Sequence, residues 1–165
     1  MSSLSKVWES RVLIRFPDCD PFNHLNNARY IDYFINARED HLMQNMGFNI
    51  YEFATQTGLS WVVGKNQIAY LRPAMLMETV VIDSTILRLD VRDLLVELKM
   101  WNDSRTRLKS LLWTQFVHVN LNTQKPEVHS TELMERFRPL VNPMKKEISF
   151  DERIEELKAA GVRLP

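Results

Sequence analysis

The segment from Asn27 to Met46 most narrows what this chain can fold into. Positions Ala28, Ile31, Ile35, Arg38, Leu42 and Met46 recur at steps of three and four, with Tyr30, Phe34 and Met43 beside them. That is helical spacing sustained for about five turns. Asn27 or Asn26 can cap its start and Gly47 can end it. A helix apolar round so much of its circumference is more stable wrapped by other elements than lying on a surface. The strands C-terminal to it can do the wrapping. Four β-like runs cover 59–71, 78–89, 92–102 and 106–120; in the third, Leu94, Val96, Leu98 and Met100 alternate with Glu97 and Lys99. The connections Arg72-Pro73-Ala74, Asp90-Val91 and Asn102-Asp103-Ser104-Arg105 are hairpin-sized and predict antiparallel neighbours. Ahead of the helix, Trp8, Val12, Ile14 and Phe16 share one face of a half-buried strand over 7–16, with Glu9, Arg11 and Arg15 on the other. The economical packing is an α+β fold, an antiparallel sheet curled round one long helix.

Beyond Asn122-Thr123-Gln124-Lys125-Pro126 the pattern predicts a short helix over Ser130–Phe137. Ser149-Phe150-Asp151-Glu152 reads as a capping box opening a terminal helix that ends near Gly161. That helix is charged over most of its surface, so we divide the chain into a main domain, 1–142, and a peripheral C-terminal helix, 143–165.

A chain of 165 residues has room for one domain that buries roughly 70 % of its unfolded surface. Lys+Arg and Asp+Glu both total 21, a balance that points to neither nucleic acid nor a membrane surface as partner. The first ten residues lack the apolar centre of a signal peptide, and no apolar run reaches the roughly 18 residues of a membrane span. Cys19 has no second cysteine to pair with, and the four histidines lack zinc-like spacing. The expectation is a cytoplasmic protein with no metal.

Chemistry is concentrated between the first strand and the helix. Arg15 to Tyr30 holds Asp18, Cys19, Asp20, His24 and three asparagines, more ionisable and amide groups than a connection needs. A carboxylate here can attack a carbonyl or take a proton from water; it can equally form a turn or cap the helix. Asp18, two residues before Asp20, projects to the same side if the backbone is extended, and bonding loop amides suits it best. Cys19, flanked by carboxylates that disfavour its thiolate, reads as a small buried hydrophobe. His24 is open between acid–base or substrate contact and shaping the loop. One of Asn26 and Asn27 caps the helix, and the first-turn amides near Asn27 and Ala28 could meet an oxyanion.

Phe16-Pro17-Asp18-Cys19-Asp20-Pro21 followed by Asn27-Ala28-Arg29-Tyr30-Ile31-Asp32-Tyr33-Phe34 resembles the hot-dog thioesterases of the 4-hydroxybenzoyl-CoA and acyl-ACP thioesterase branch. His24-Leu25-Asn26-Asn27, Leu71-Arg72-Pro73-Ala74 and Asn122-Thr123-Gln124-Lys125-Pro126 add to that likeness, which spans roughly residues 7 to 140. The resemblance implies a hot-dog fold and hydrolysis of acyl-CoA or acyl-ACP thioesters, with Asp20 as catalytic aspartate. It implies no cofactor, and a homodimer or homotetramer whose sheets join edge to edge with sites at the interface. His24, Asn26, Asn27 and Arg72 are the candidate substrate contacts. Arg105, Arg107 and Lys109 are candidates for phosphate, although surface cations are usually just solvated. Met43, Met46, Met75, Met77, Trp61 and Phe53 could line an acyl tunnel or simply pack the core. Two other readings stay open: a hot-dog dehydratase or hydratase on acyl thioesters, and a non-catalytic module that binds them.

Overall fold

The computed structural model describes residues 5–160. The chain runs β1 (Trp8–Leu13), α1 (Tyr30–Met46), α2 (Ile50–Thr57), β2 (Leu59–Tyr70), β3 (Thr79–Leu89), β4 (Asp93–Asn102), β5 (Leu108–Asn120), β6 (Lys125–Pro126), α3 (Thr131–Phe137) and α4 (Phe150–Ala159). The sheet is antiparallel throughout, in the order β1-β3-β4-β5-β2, with β6 on β5. It curls round α1 as a hot-dog fold.

Alternation along the strands makes two layers. Val80, Ile82, Ile86, Leu94, Val96, Leu98, Met100 and Leu112 face α1 together with Phe34 and Ala37. On the other face Val81, Trp101, Leu111 and Trp113 pack against Phe150 and Leu157 of α4. The capping box forms at Ser149 and Glu152 as its spacing requires; Gly161, expected to end α4, lies outside the described residues.

Three expectations change. β1 stops at Leu13, because the chain turns into a 3-10 turn at Phe16–Asp18 around Pro17, and Phe16 is left 76 % exposed. The burial of α1 is one stripe, Tyr30, Phe34, Ala37, Arg38 and His41, with Asp32, Asp40 and Met43 on the side away from it. Its apolar circumference is therefore only partly used within one chain. Most consequentially, β2 and β3 are not neighbours: β2 pairs with β5, and β3 with β1 and β4. The hairpins β3–β4 and β4–β5 form as predicted. The segment 71–78 instead crosses the end of the sheet, and its backbone is satisfied by other segments. Leu71 and Arg72 amides donate to the Lys109 carbonyl, Ala74 N to Tyr30 Oη, and Leu76 N to the Asn23 carbonyl.

α2 has no clear signature in the sequence, and local capping explains why it forms. Its Asn49 side chain accepts from the Tyr51 and Glu52 amides, and Gly58 ends it at φ 70, where a β-carbon is strained.

Candidate active site

The Asp20 loop belongs to no strand of the sheet and is shaped largely by its own groups, with isolated bridges at Cys19–Leu25 and His24–Met75. Asp20 N donates to the His24 carbonyl at 2.8 Å and Asn23 N donates back to the Asp20 carbonyl at 3.1 Å, with Asn23 at φ 60. Asp20 Oδ1 accepts from the amides of Phe22 at 2.8 Å and His24 at 3.0 Å. The carboxylate is thereby held in one orientation by two backbone donors, and Oδ2 has no hydrogen-bond partner among the described residues. Asp20 lines a cleft of about 270 Å³ together with His24, Asn27, Tyr30, Tyr70, Arg72 and Pro73. The crossover 71–78 builds half of that wall. A backbone bridge between His24 and Met75, and the Leu25 amide on the Ala74 carbonyl, clamp it to the loop.

The remaining candidates divide. His24 lines the cleft, but through its backbone it also shapes the loop. Asn27 lines it too, and its carbonyl accepts from Tyr70 Oη at 3.0 Å. Arg72 is half-buried in the same wall. Asn26 is outside the cleft: its side chain accepts from Ala28 N at 3.0 Å and caps the turn that leads into α1. The Ala28 amide is consumed by that cap and is not available to an oxyanion.

Asp18 and Asp20 do not share a cleft: Asp18 closes the 3-10 turn and lines one hollow, and Asp20, beyond the extended Cys19, lines another. Asp18 Oδ2 accepts from Tyr33 Oη at 2.8 Å and Oδ1 lies 3.9 Å from Arg29. Its carboxylate partners are side chains, not loop amides. Cys19 is half-buried against the core and its thiol donates to the Arg15 carbonyl. Desolvation, then the charges of Asp18 and Asp20, push its pKa up, which keeps it protonated.

The cation cluster near residue 107 is mostly engaged elsewhere. Lys109 is buried, 2.9 Å from Glu78, and donates to the Pro73 carbonyl. Arg105 pairs with Glu9 and Asp83. Arg107 is exposed. Of the proposed tunnel residues, only Trp61 lines the apolar cavity of about 160 Å³ beneath α1. Phe53 packs on Phe48 and Trp61; Met46 packs against the core; Met43, Met75 and Met77 are exposed.

Two features were missed by sequence reasoning. Tyr70 joins the cleft from the end of β2, edge-on to Tyr30 at 5.1 Å; nothing in its own neighbourhood marks it. Arg38 and His41, on the buried face of α1, meet polar partners in the core. His41 sits between Ser84 Oγ at 2.8 Å and Ser10 Oγ at 3.1 Å, and Arg38 donates to Ser84 Oγ at 3.2 Å. Two polar residues on the buried stripe of an amphipathic helix were the available signal.

Among curated proteins the chain is similar to the long-chain acyl-CoA thioesterase FadM of Escherichia coli (strain K12). The two are 26 % identical over 133 residues, 81 % of this chain and 98 % of that one. Among solved structures it is similar to YbaW, a probable thioesterase from Escherichia coli, at 25 % identity and a TM-score of 0.69, covering 81 % of this chain and 98 % of that one. A Staphylococcus aureus protein solved in complex with CoA shares the fold at a TM-score of 0.78 and 13 % identity, over 92 % of this chain and 95 % of that one. The thioesterase-like superfamily pattern matches residues 14–137, a span that takes in the Asp20 loop, α1 and strands β2 to β5. That match covers most of the sequence, and this chain belongs to the thioesterase-like superfamily.

Proposed function

We propose that the chain hydrolyses acyl-CoA thioesters at the Asp20 cleft, with the Asp20 carboxylate as nucleophile or as general base. The observation that carries this reading is the carboxylate's asymmetry. Oδ1 is fixed by the Phe22 and His24 amides, leaving Oδ2 as the oxygen available to the cleft that Asp20 lines. As nucleophile, Oδ2 adds to the thioester carbonyl, the C–S bond breaks, and water then cleaves the mixed anhydride. As base, it takes a proton from the water that attacks directly. In both cases CoA leaves as a thiolate, which needs no strong acid. Asn27, His24 and Arg72 line the same cleft and offer donors for the developing oxyanion. The curated relative's name supports acyl-CoA as substrate class, and the CoA-bound neighbour supports a CoA-sized ligand on this fold. Acyl carrier protein thioesters are the second substrate class to assay.

The test is thiol release across a panel of acyl-CoAs. Asp20→Asn and Asp20→Ala should lower kcat/KM by at least about a hundredfold, the scale of a lost acid–base or nucleophilic group. Wild-type rates in Asp20→Asn would overturn the mechanism. A hydratase reading needs an Asp–His pair. The His24 ring makes no hydrogen bond to Asp20 among the described residues; only its amide does. Water addition to crotonyl-CoA without thiol release would favour that reading. Ligand-induced stabilisation with no turnover would favour a binding module.

We further propose a homodimer joined at β2. This strand is a sheet edge, and its Val62 and Val63 are 46 % and 45 % exposed. Such an unpaired apolar edge invites a second chain. The lone cysteine suits a reducing cytoplasm.

A further inference from the structure

The buried face of α1 carries a cation that the fold does not neutralise. Arg38 is 5 % exposed. Its Nη1 donates to Ser84 Oγ and its guanidinium stacks over Trp8 at 5.3 Å. Among the described residues no carboxylate lies within ion-pair distance of it. Among the described residues the other buried charged side chains are paired: Glu97 with Arg153, Asp83 with Lys99 and Arg105, Lys109 with Glu78. Arg38 is the exception, and burial alone lowers its pKa to about 10. Holding an uncompensated charge in an apolar setting is costly unless something supplies the counter-charge.

Arg38 lines the 160 Å³ cavity, whose other walls are Ile35, Leu42, Phe48, Trp61, Ile86 and Phe116 among others. A cavity of this size, lined this way, accepts a hydrocarbon. Glu39 stands in the same lining, with Oε1 accepting from Tyr51 Oη. The cavity and the Asp20 cleft are two separate hollows, each lined by residues of both α1 and β2. Tyr30 and Tyr70 line the cleft, while Arg38, Trp61 and Val63 line the cavity. From Tyr30 to Arg38 the helix rises about 12 Å, at 1.5 Å per residue, the span of a medium-length acyl chain.

We propose that Arg38 is a specificity residue for acyl groups that carry a carboxylate at the far end. The chain lies between α1 and β2, its methylenes in the apolar cavity and its terminal carboxylate on the Nε and Nη2 donors that Ser84 leaves unused. This rests on the thioesterase reading of the Asp20 cleft. A neutral alkyl chain fills the same space but leaves the guanidinium unpaired, so the site discriminates by the ion pair it gains.

The experiment compares suberoyl-CoA with octanoyl-CoA, and sebacoyl-CoA with decanoyl-CoA, in wild type, Arg38→Met and Arg38→Lys. Wild type should favour the carboxylated member of each pair by about tenfold or more in kcat/KM, the scale of a charged hydrogen bond. Arg38→Met should erase that preference and Arg38→Lys retain part of it. An unchanged ratio in Arg38→Met, or a wild-type preference for the alkyl chain, overturns the assignment. Binding of the free acids gives a readout independent of turnover and of whether the variants fold. Suberate should raise the wild-type Tm more than octanoate, and equal shifts count against the proposal. If no acyl-CoA is cleaved but the suberate shift is present, the hydrolase reading fails and Arg38 as an anion site stands.

Discussion

His41 shows how strongly the core acts on a single residue. Its imidazole is fully enclosed between two serine hydroxyls, and burial, with the Arg38 charge beside it, holds its pKa at about 4. The unfolded chain binds the proton near 6.5, so the folded state resists protonation. Above pH 6.5 both states are neutral and nothing is lost. Between pH 6.5 and 4 the unfolded state gains a proton that the folded state refuses, and stability falls by up to about 3 kcal/mol. Urea unfolding measured across that range should show the decline, and His41→Asn should flatten it. Asp18 makes a second residue-scale case. Tyr33→Phe removes its 2.8 Å hydrogen bond and should cost about 1 kcal/mol, read as a lower urea midpoint. That Asp20 is a candidate was legible from the sequence, because its loop is crowded with ionisable groups. Which of its oxygens is free was not, because two amides positioned only by the folded turn decide it.

At the scale of elements, α4 is fixed to the outer face of the sheet by a charge network as well as by Phe150. Arg153 donates to both oxygens of Glu97, at 2.8 Å each, and Trp113 Nε1 donates to the same carboxylate at 2.9 Å. Burial pushes the Glu97 pKa up, but Arg153, Lys99 and Trp113 overcome it and hold the carboxyl below its usual range. Removing one member leaves a buried charge without its partner. Arg153→Met should therefore cost about 3 kcal/mol, while Arg153→Met with Glu97→Gln should cost less than that single change; a double-mutant cycle by thermal unfolding measures the difference. β2 carries a second constraint at its bulge between Val63 and Lys65. A β-carbon on Gly64 would sit 2.8 Å from Val117 Cγ2, so Gly64→Val should lower Tm. The long strands and α1 were legible because their periodicities differ. α2 was missed because eight residues give too short a pattern between two louder elements.

At the scale of the molecule, the α1–β2 side is unfinished in one chain. α1 buries only one stripe and β2 has a free edge, so the apolar groups on that side await a cover. Light scattering should give a dimer, and Val63→Glu, a charge on the exposed β2 edge, should shift it toward monomer. The sequence by itself determined the long elements, their order and the loop where ionisable groups concentrate, because period, caps and turn residues are local properties. Only the tertiary structure decided that β2 leaves its neighbour in sequence to pair with β5, and so carries residues 70–73 to the wall facing Asp20. It alone set the Arg38 guanidinium against Ser84 and Trp8, beside an apolar cavity. Strand partners are set by burying two faces of one sheet at once, and no window of the chain contains that information.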